Sequence, residues 1–183
     1  NREFIAKTVD AFAGAGSDNA QALIAYGSLT DSTRSDTDLV YLESELNANF
    51  LSAALWAQAI AERFARAEFG GGALAVISSV AGDRGRGSNH AYGAAKAGLT
   101  AFCSGLRARM NARGVHVVTV KPGFIDTPMT AHITKKGALW ATPESVAAGI
   151  VSALDKRRDV VYLPGFWRFI MLIIKHVPEG IFK

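Results

Sequence analysis

Two short apolar runs, Leu74-Ala75-Val76-Ile77 and Val115-His116-Val117-Val118-Thr119-Val120, constrain this 183-residue chain more than any other feature. A strand that is apolar at every position is covered on both faces, as strands are inside a parallel α/β sheet. The first run stops at Ser78-Ser79. In such a sheet the ligand crevice lies beyond the carboxyl ends of the strands, so a hydroxyl at that end points into it. The loop Gly82-Asp83-Arg84-Gly85-Arg86-Gly87-Ser88 is too rich in glycine and polar residues to continue either regular structure. A helix is predicted to begin near His90. The predicted fold class is α/β, a partial doubly wound parallel sheet.

On that helix Tyr92 and Lys96 stand four positions apart, which puts their side chains on one face about one turn apart. A free phenol titrates near ~10, and a neighbouring ammonium favours the phenolate, so Lys96 is expected to lower the pKa of Tyr92. General acid–base work then becomes feasible. Ser79 would hydrogen-bond a substrate oxygen while Tyr92 gives or takes its proton, which suits interconversion of a carbonyl and an alcohol. Tyr and Lys four apart on a helix also occur as plain surface pairs. The signal therefore lies in what surrounds this pair.

Ser78-Ser79-x-x-Gly closing an apolar strand, followed by Tyr92-Gly-Ala-Ala-Lys96, resembles the active-site segment of the short-chain dehydrogenase/reductase family. The second apolar run leads into Lys121-Pro122-Gly123-Phe124-Ile125-Asp126-Thr127, similar to the family's Pro-Gly motif and following threonine. The resemblance covers roughly residues 18–165 and implies a Rossmann-like domain that uses NAD or NADP. It makes Ser79 the substrate-orienting serine, Tyr92 the catalytic acid and base, and Lys96 the holder of the nicotinamide ribose. Pro122, Gly123, Ile125 and Thr127 would face the nicotinamide. It also implies a small-molecule carbonyl or alcohol substrate, a homo-oligomer and a cytoplasmic setting.

The family's dinucleotide-binding glycine-rich turn follows a first strand and opens a helix. No such turn stands in this chain, where Gly70-Gly71-Gly72 precedes a strand instead. By the resemblance, residues 1–165 are the C-terminal two-thirds of one Rossmann-like domain, and 166–183 form a hydrophobic tail. The first strands and the cofactor turn are expected to lie outside this chain. The run Ala20-Gln21-Ala22-Leu23-Ile24-Ala25 would then be an apolar sheet edge. The chain by itself would bind nicotinamide cofactor poorly, and an interaction scaffold without cofactor is the alternative reading.

Elsewhere along the chain, Phe4, Ile5, Val9 and Phe12 recur at helical spacing before a turn at Gly14-Ala15-Gly16. The exit Ala25-Tyr26-Gly27-Ser28 occupies the place of the family's Asn-Asn-Ala-Gly and keeps only its glycine, where close backbone approach is expected. Leu29 to Thr37 reads as a polar loop, and Asp38 to about Ala67 as a long helix carrying Asn47 and Asn49 among apolar neighbours. Asparagine competes with the helix backbone, so it needs a reason there. The resemblance supplies one: Asn49 matches the asparagine that props the helix open and serves a proton relay behind the lysine. Thr142-Pro143-Glu144 opens another helix. Between Thr127 and that point the family keeps its substrate lid, which makes Pro128, Met129, His132 and Trp140 candidate substrate contacts.

Charge is divided unevenly. Residues 1–70 carry 5 basic and 10 acidic side chains, and 71–183 carry 15 and 6. A basic half can attract a phosphorylated ligand or an anionic membrane. No aromatic-stacking or helix-turn-helix signal points to nucleic acid. Cys103 stands alone, which excludes an intrachain disulfide framework and suggests a buried thiol. The four histidines, at 90, 116, 132 and 176, fall on unlike elements with no metal-ligand spacing. In the tail, Phe166 to Ile174 is apolar except for Arg168, and Lys175 and His176 follow. Nine residues are too few for the ~20 that span a bilayer. The run packs on a neighbouring subunit, lies in a membrane interface or completes the core, and the residues leave all three open. With ISSVAGDRGR and KPGF-DTPM it resembles a bacterial branch related to decaprenylphosphoryl-2-keto-ribose reductases, which act on lipid-linked sugars at the membrane.

Overall fold

The computed structural model describes residues 2–12, 20–66, 68–134 and 136–182. Four strands form one parallel sheet: β1 (Gln21–Ile24), β2 (Gly72–Ile77), β3 (Val115–Pro122) and, after a two-stranded excursion described below, β6 (Val160–Leu163), in the order β1-β2-β3-β6. β2 and β3 pair from Gly72 opposite Val115 to Ile77 opposite Val120. The period of two splits β2 cleanly. Leu74 and Val76 join one core layer with Val117 of β3, whereas Ala73 and Ala75 join the other with Val118 and Val120. Every one of these residues is buried, as expected of strands with helices on both faces.

Helices supply the two covers. On the Leu74 face lie α4 (Ser52–Phe64), through Ala53, Ala57, Ala61 and Phe64, and α5 (His90–Met110), through Leu99, Cys103, Leu106 and Met110. Leu74 and Leu99 are fully buried, so truncating either to alanine costs ~2–5 kcal/mol. On the alanine face, α6 (Pro143–Asp155) packs Val146, Ile150, Ala153 and Leu154. Ahead of the sheet, α1 (Arg2–Phe12) buries Ile5 and Val9, while the Phe4 ring meets Trp56 of α4 edge-on at 6.4 Å. The turn expected at Gly14-Ala15-Gly16 lies outside the described residues.

The long helix predicted from Asp38 is present but interrupted. Asp38 caps α3 (Leu39–Leu46) by accepting from the Tyr41 N–H at 2.9 Å, and a π-helical turn over Asn47–Leu51 joins α3 to α4. The polar loop before it contains a single helical turn, α2 (Ser32–Ser35), because Asp31 accepts from the Arg34 N–H at 3.1 Å and caps it. Beyond β3, the short strands β4 (Phe124–Ile125) and β5 (Trp140–Ala141) pair in parallel beside the main sheet. Thr142 caps α6 as its spacing to Pro143 and Ser145 requires, accepting from the Ser145 N–H at 3.3 Å.

The tail folds back as α7 (Trp167–His176) and α8 (Glu179–Phe182). Trp167 and Met171 bury themselves against Val80, so part of the tail is core. At the opposite edge β1 pairs only with β2 among the described residues, and Leu23 is 48% exposed there.

Candidate active site

Ser78 and Ser79 leave β2 with opposite duties. The Ser78 hydroxyl donates to the Lys96 carbonyl at 2.9 Å and shares a hydrogen bond with the Thr100 hydroxyl at 2.7 Å, so it ties the strand end to α5. Ser79 is left to face the cavity. Its hydroxyl caps the following 3-10 turn by accepting from the Ala81 N–H at 3.1 Å, and it is hydrogen-bonded to the Tyr92 side chain.

Tyr92 and Lys96 share the inner face of α5, as their spacing predicts. Lys96 is 3% exposed, and its amine donates to the Ile77 carbonyl at 3.2 Å. Burial lowers its pKa from 10.5 to about 8. The expectation for Tyr92 needs correction: its phenol is pushed above the ordinary tyrosine value, not below it. Burial dominates, and the Ser79 hydrogen bond pulls only partly the other way. The Lys96 amine lies 5.8 Å from the ring centroid and is spent on a backbone carbonyl, so it does not overcome the desolvation of the phenol.

Behind Lys96, the π turn aims Asn49 inward, and Asn49 is 1% exposed whereas Asn47 faces solvent. A π turn inserts one residue into the helical repeat and often marks a functional site. The Asn49 carboxamide accepts from the Ser28 N–H and donates to the Ser28 hydroxyl, both at 3.1 Å, and donates to Glu45 at 3.4 Å. Glu45 in turn accepts from the Ser28 hydroxyl at 2.8 Å and the Thr30 hydroxyl at 2.9 Å. Gly27 sits between the two groups. A Cβ there would stand 2.7 Å from Asn49 Oδ1 and 3.5 Å from Lys96 Nζ, so only glycine leaves the carboxamide where it is.

These groups line one cavity of about 400 Å³ at the carboxyl ends of β1, β2 and β3. Gly27, Asn49, Ser79, Tyr92, Lys96, Pro122, Gly123, Ile125 and Thr127 all contribute to its wall, so every residue assigned to catalysis or cofactor contact comes together. Of the lid residues, Met129 lines it and Pro128, His132 and Trp140 do not. His132 is exposed, and Trp140 stacks on Phe124 with centroids 5.3 Å apart because β5 pairs with β4. Ile133 and Thr130 stand at the wall in their stead.

Arg86, Asn89 and Trp167 also stand at the wall, with no role assigned from the sequence. Arg86 and Asn89 belong to the loop and turn ahead of α5, where glycine content was the only available hint. Trp167 arrives from α7 and closes over Gly123, with its indole N–H buried and lacking a hydrogen-bond partner. No local pattern in the tail announces that contact. Below the wall, Asp83 forms a buried ion pair with Lys121 and accepts from the Tyr162 hydroxyl at 2.7 Å, which joins the loop after Ser79 to β3 and β6. Cys103 is fully buried, and burial pushes its thiol up to about 11. Among the described residues no group of three His, Cys, Asp or Glu side chains could hold a metal ion.

A parallel sheet with a serine at one strand end, a tyrosine and lysine on the next helix and an asparagine in a π turn defines an α/β protein of Rossmann type. The comparisons agree with the geometry: the short chain dehydrogenase family matches residues 9–138, and the chain belongs to that family. A Mycobacterium tuberculosis protein named as an uncharacterized oxidoreductase is 34% identical over 162 residues, 88% of this chain and 64% of that relative. The chain thus spans about two-thirds of the length of this relative. Among solved structures, a short chain dehydrogenase from Burkholderia cenocepacia in complex with NADP superposes with a TM-score of 0.82 at 18% identity, covering 99% of this chain and 75% of that one. A 3-oxoacyl-(acyl-carrier protein) reductase from Brucella melitensis in complex with NAD gives 0.73 at 21% identity, over 91% of this chain and 74% of that one. At such identities these two speak for the fold.

Proposed function

We propose that the protein is an NAD(P)-dependent oxidoreductase that interconverts a carbonyl and an alcohol, with Tyr92 as its general acid and base. The observation that carries this reading is the convergence of Tyr92, Ser79 and the buried Lys96 amine on the wall of one cavity. The same wall fits a nicotinamide. Gly27, Pro122, Gly123, Ile125 and Thr127 line an open space bounded by the Lys96 amine and the Asn49 carboxamide, and the space beside Gly27 is one that a Cβ would fill. Bound there, the nicotinamide supplies or accepts the hydride. The complexes of the Burkholderia and Brucella proteins with NADP and NAD support this class of cofactor.

The chain's own groups handle the proton. Ser79 donates its hydroxyl hydrogen to the substrate oxygen, and Tyr92, bonded to Ser79, reaches the same oxygen. In reduction Tyr92 gives its proton, and in oxidation it takes one. Burial, which raises its pKa, keeps the phenol protonated near neutral pH, the form needed in reduction. Lys96, with its pKa near 8, exchanges protons close to neutral pH and re-supplies the phenol. Asn49, locked by Ser28 and Glu45, holds the far side of that relay in place.

The substrate class proposed is a small carbonyl compound or alcohol, including one carried on a lipid, and the assembly a homo-oligomer in the cytoplasm or at its membrane. Apolar residues left exposed on α7 support a peripheral membrane contact. The test uses the full-length gene product with NADH and with NADPH against a panel of carbonyl compounds. Tyr92→Phe is expected to lower turnover about 10²- to 10⁴-fold. Equal turnover by that variant refutes the assignment.

A further inference from the structure

α7 is apolar on two opposite sides. Its inner stripe, Trp167, Ile170, Met171 and Ile174, packs against the body of the protein. At about 100° per residue, Phe169, Leu172 and Ile173 fall on the opposite side, where they are 67%, 56% and 69% exposed. Phe166, three positions before Phe169, extends the patch at 37%. An amphipathic surface helix needs only one apolar stripe, so a second one calls for its own cover.

Charge and area together identify the cover. Arg168 and Lys175 are exposed along one border of the stripe, seven positions apart, and neither has a carboxylate partner among the described residues. The acidic side chain of this region, Glu179, is already held by Arg84 at 2.7 Å. In an antiparallel twofold contact between copies this border meets itself, which would set cation against cation. The patch is also small: it rests on one ten-residue helix ~15 Å long, against the ~20–30 residues a side of a stable protein interface.

We propose that the outer face of α7 docks on an anionic lipid surface, Phe169, Leu172 and Ile173 entering the headgroup boundary and Arg168 and Lys175 meeting lipid phosphates. The docked helix is bound firmly to the catalytic loop. Arg84, five residues after Ser79, donates to the carbonyls of Ile174, Lys175 and Val177 at 3.3, 3.2 and 2.7 Å. Trp167 belongs both to the inner stripe and to the cavity wall. The lipid surface therefore lies one helix diameter from the cavity, and an apolar substrate dissolved in the bilayer is delivered beside Trp167. That consequence rests on the proposed catalytic activity, whereas the docking deepens only the membrane contact proposed with it.

The experiment is flotation of the full-length protein with vesicles of phosphatidylglycerol in phosphatidylcholine and with phosphatidylcholine alone, at low and high salt. Binding is expected to the anionic vesicles and to weaken with salt. Phe169→Ser with Ile173→Ser is expected to reduce the bound fraction at least about tenfold, and Arg168→Gln and Lys175→Gln about fivefold each. All four side chains are exposed, so urea unfolding curves should match the parent and exclude misfolding. Tyr92→Phe is expected to float like the parent, so loss of turnover and loss of docking are read separately. No flotation, equal flotation with neutral vesicles, or a dimer in light scattering that Phe169→Ser with Ile173→Ser dissolves would each overturn the proposal.

Discussion

Replacing Lys96 by methionine should raise stability near neutral pH while abolishing any turnover. Lys96 is 3% exposed and its pKa falls from 10.5 to about 8, chiefly because burial penalises the charged amine. At ~1.4 kcal/mol per pKa unit this costs the native state ~3 kcal/mol whenever the amine is charged in both states. Because the native pKa lies below the unfolded one, the cost applies in full below about pH 8. As the pH rises to 10.5 the native amine is neutral while the unfolded chain still holds its proton, so stability climbs by that amount and then levels. Methionine has similar length and no charge. It forfeits the hydrogen bond to the Ile77 carbonyl, worth ~1–2 kcal/mol when the acceptor is left buried and unpaired. The net gain expected at pH 7 is ~1–2 kcal/mol, turning into a net loss near pH 10.5 as the charge penalty vanishes. Urea unfolding of both proteins in steps from neutral to alkaline pH measures the difference. A difference that stays flat with pH would show that the buried amine carries no such penalty.

Ser79→Ala is expected to lower turnover of the full-length protein by about 10²-fold or more, as loss of a polar group on the reacting oxygen does. Ser78→Ala should instead cost ~1–2 kcal/mol of stability with turnover largely kept, since it breaks the tie to Lys96 and Thr100; the reverse pattern would exchange the two roles. Lys121→Met strands the Asp83 carboxylate, which is 3% exposed, and should cost ~3–5 kcal/mol in denaturant unfolding. Adding Asp83→Asn should recover more than half of that loss, and strictly additive effects would show the pair does not interact. Cys103, its thiol raised to about 11, should react with a thiol reagent at pH 8 only at the rate of unfolding, and prompt labelling would contradict its burial.

Much of this architecture is legible in short stretches. The uninterrupted β2 pattern announces a strand covered twice, and Thr142-Pro143 and Asp38 mark helix starts that the structure places at those residues. The π turn was not legible as geometry, because one inserted residue leaves no period of its own; an asparagine among apolar neighbours was its only trace. The helical turn at Ser32–Ser35 is hidden in the sequence because its polar composition outweighs a single capping aspartate, Asp31.

Residue order alone determined what depends on near neighbours: strand period, helix caps, and a phenol and an amine one turn apart on α5. Only the folded chain decided that the phenol's pKa rises, that Ser78 ties the strand end to α5, and that Trp167 and Arg86 help to wall the cavity. Desolvation and contacts between residues far apart in the sequence exist only once the sheet has closed, so no local pattern can encode their sign.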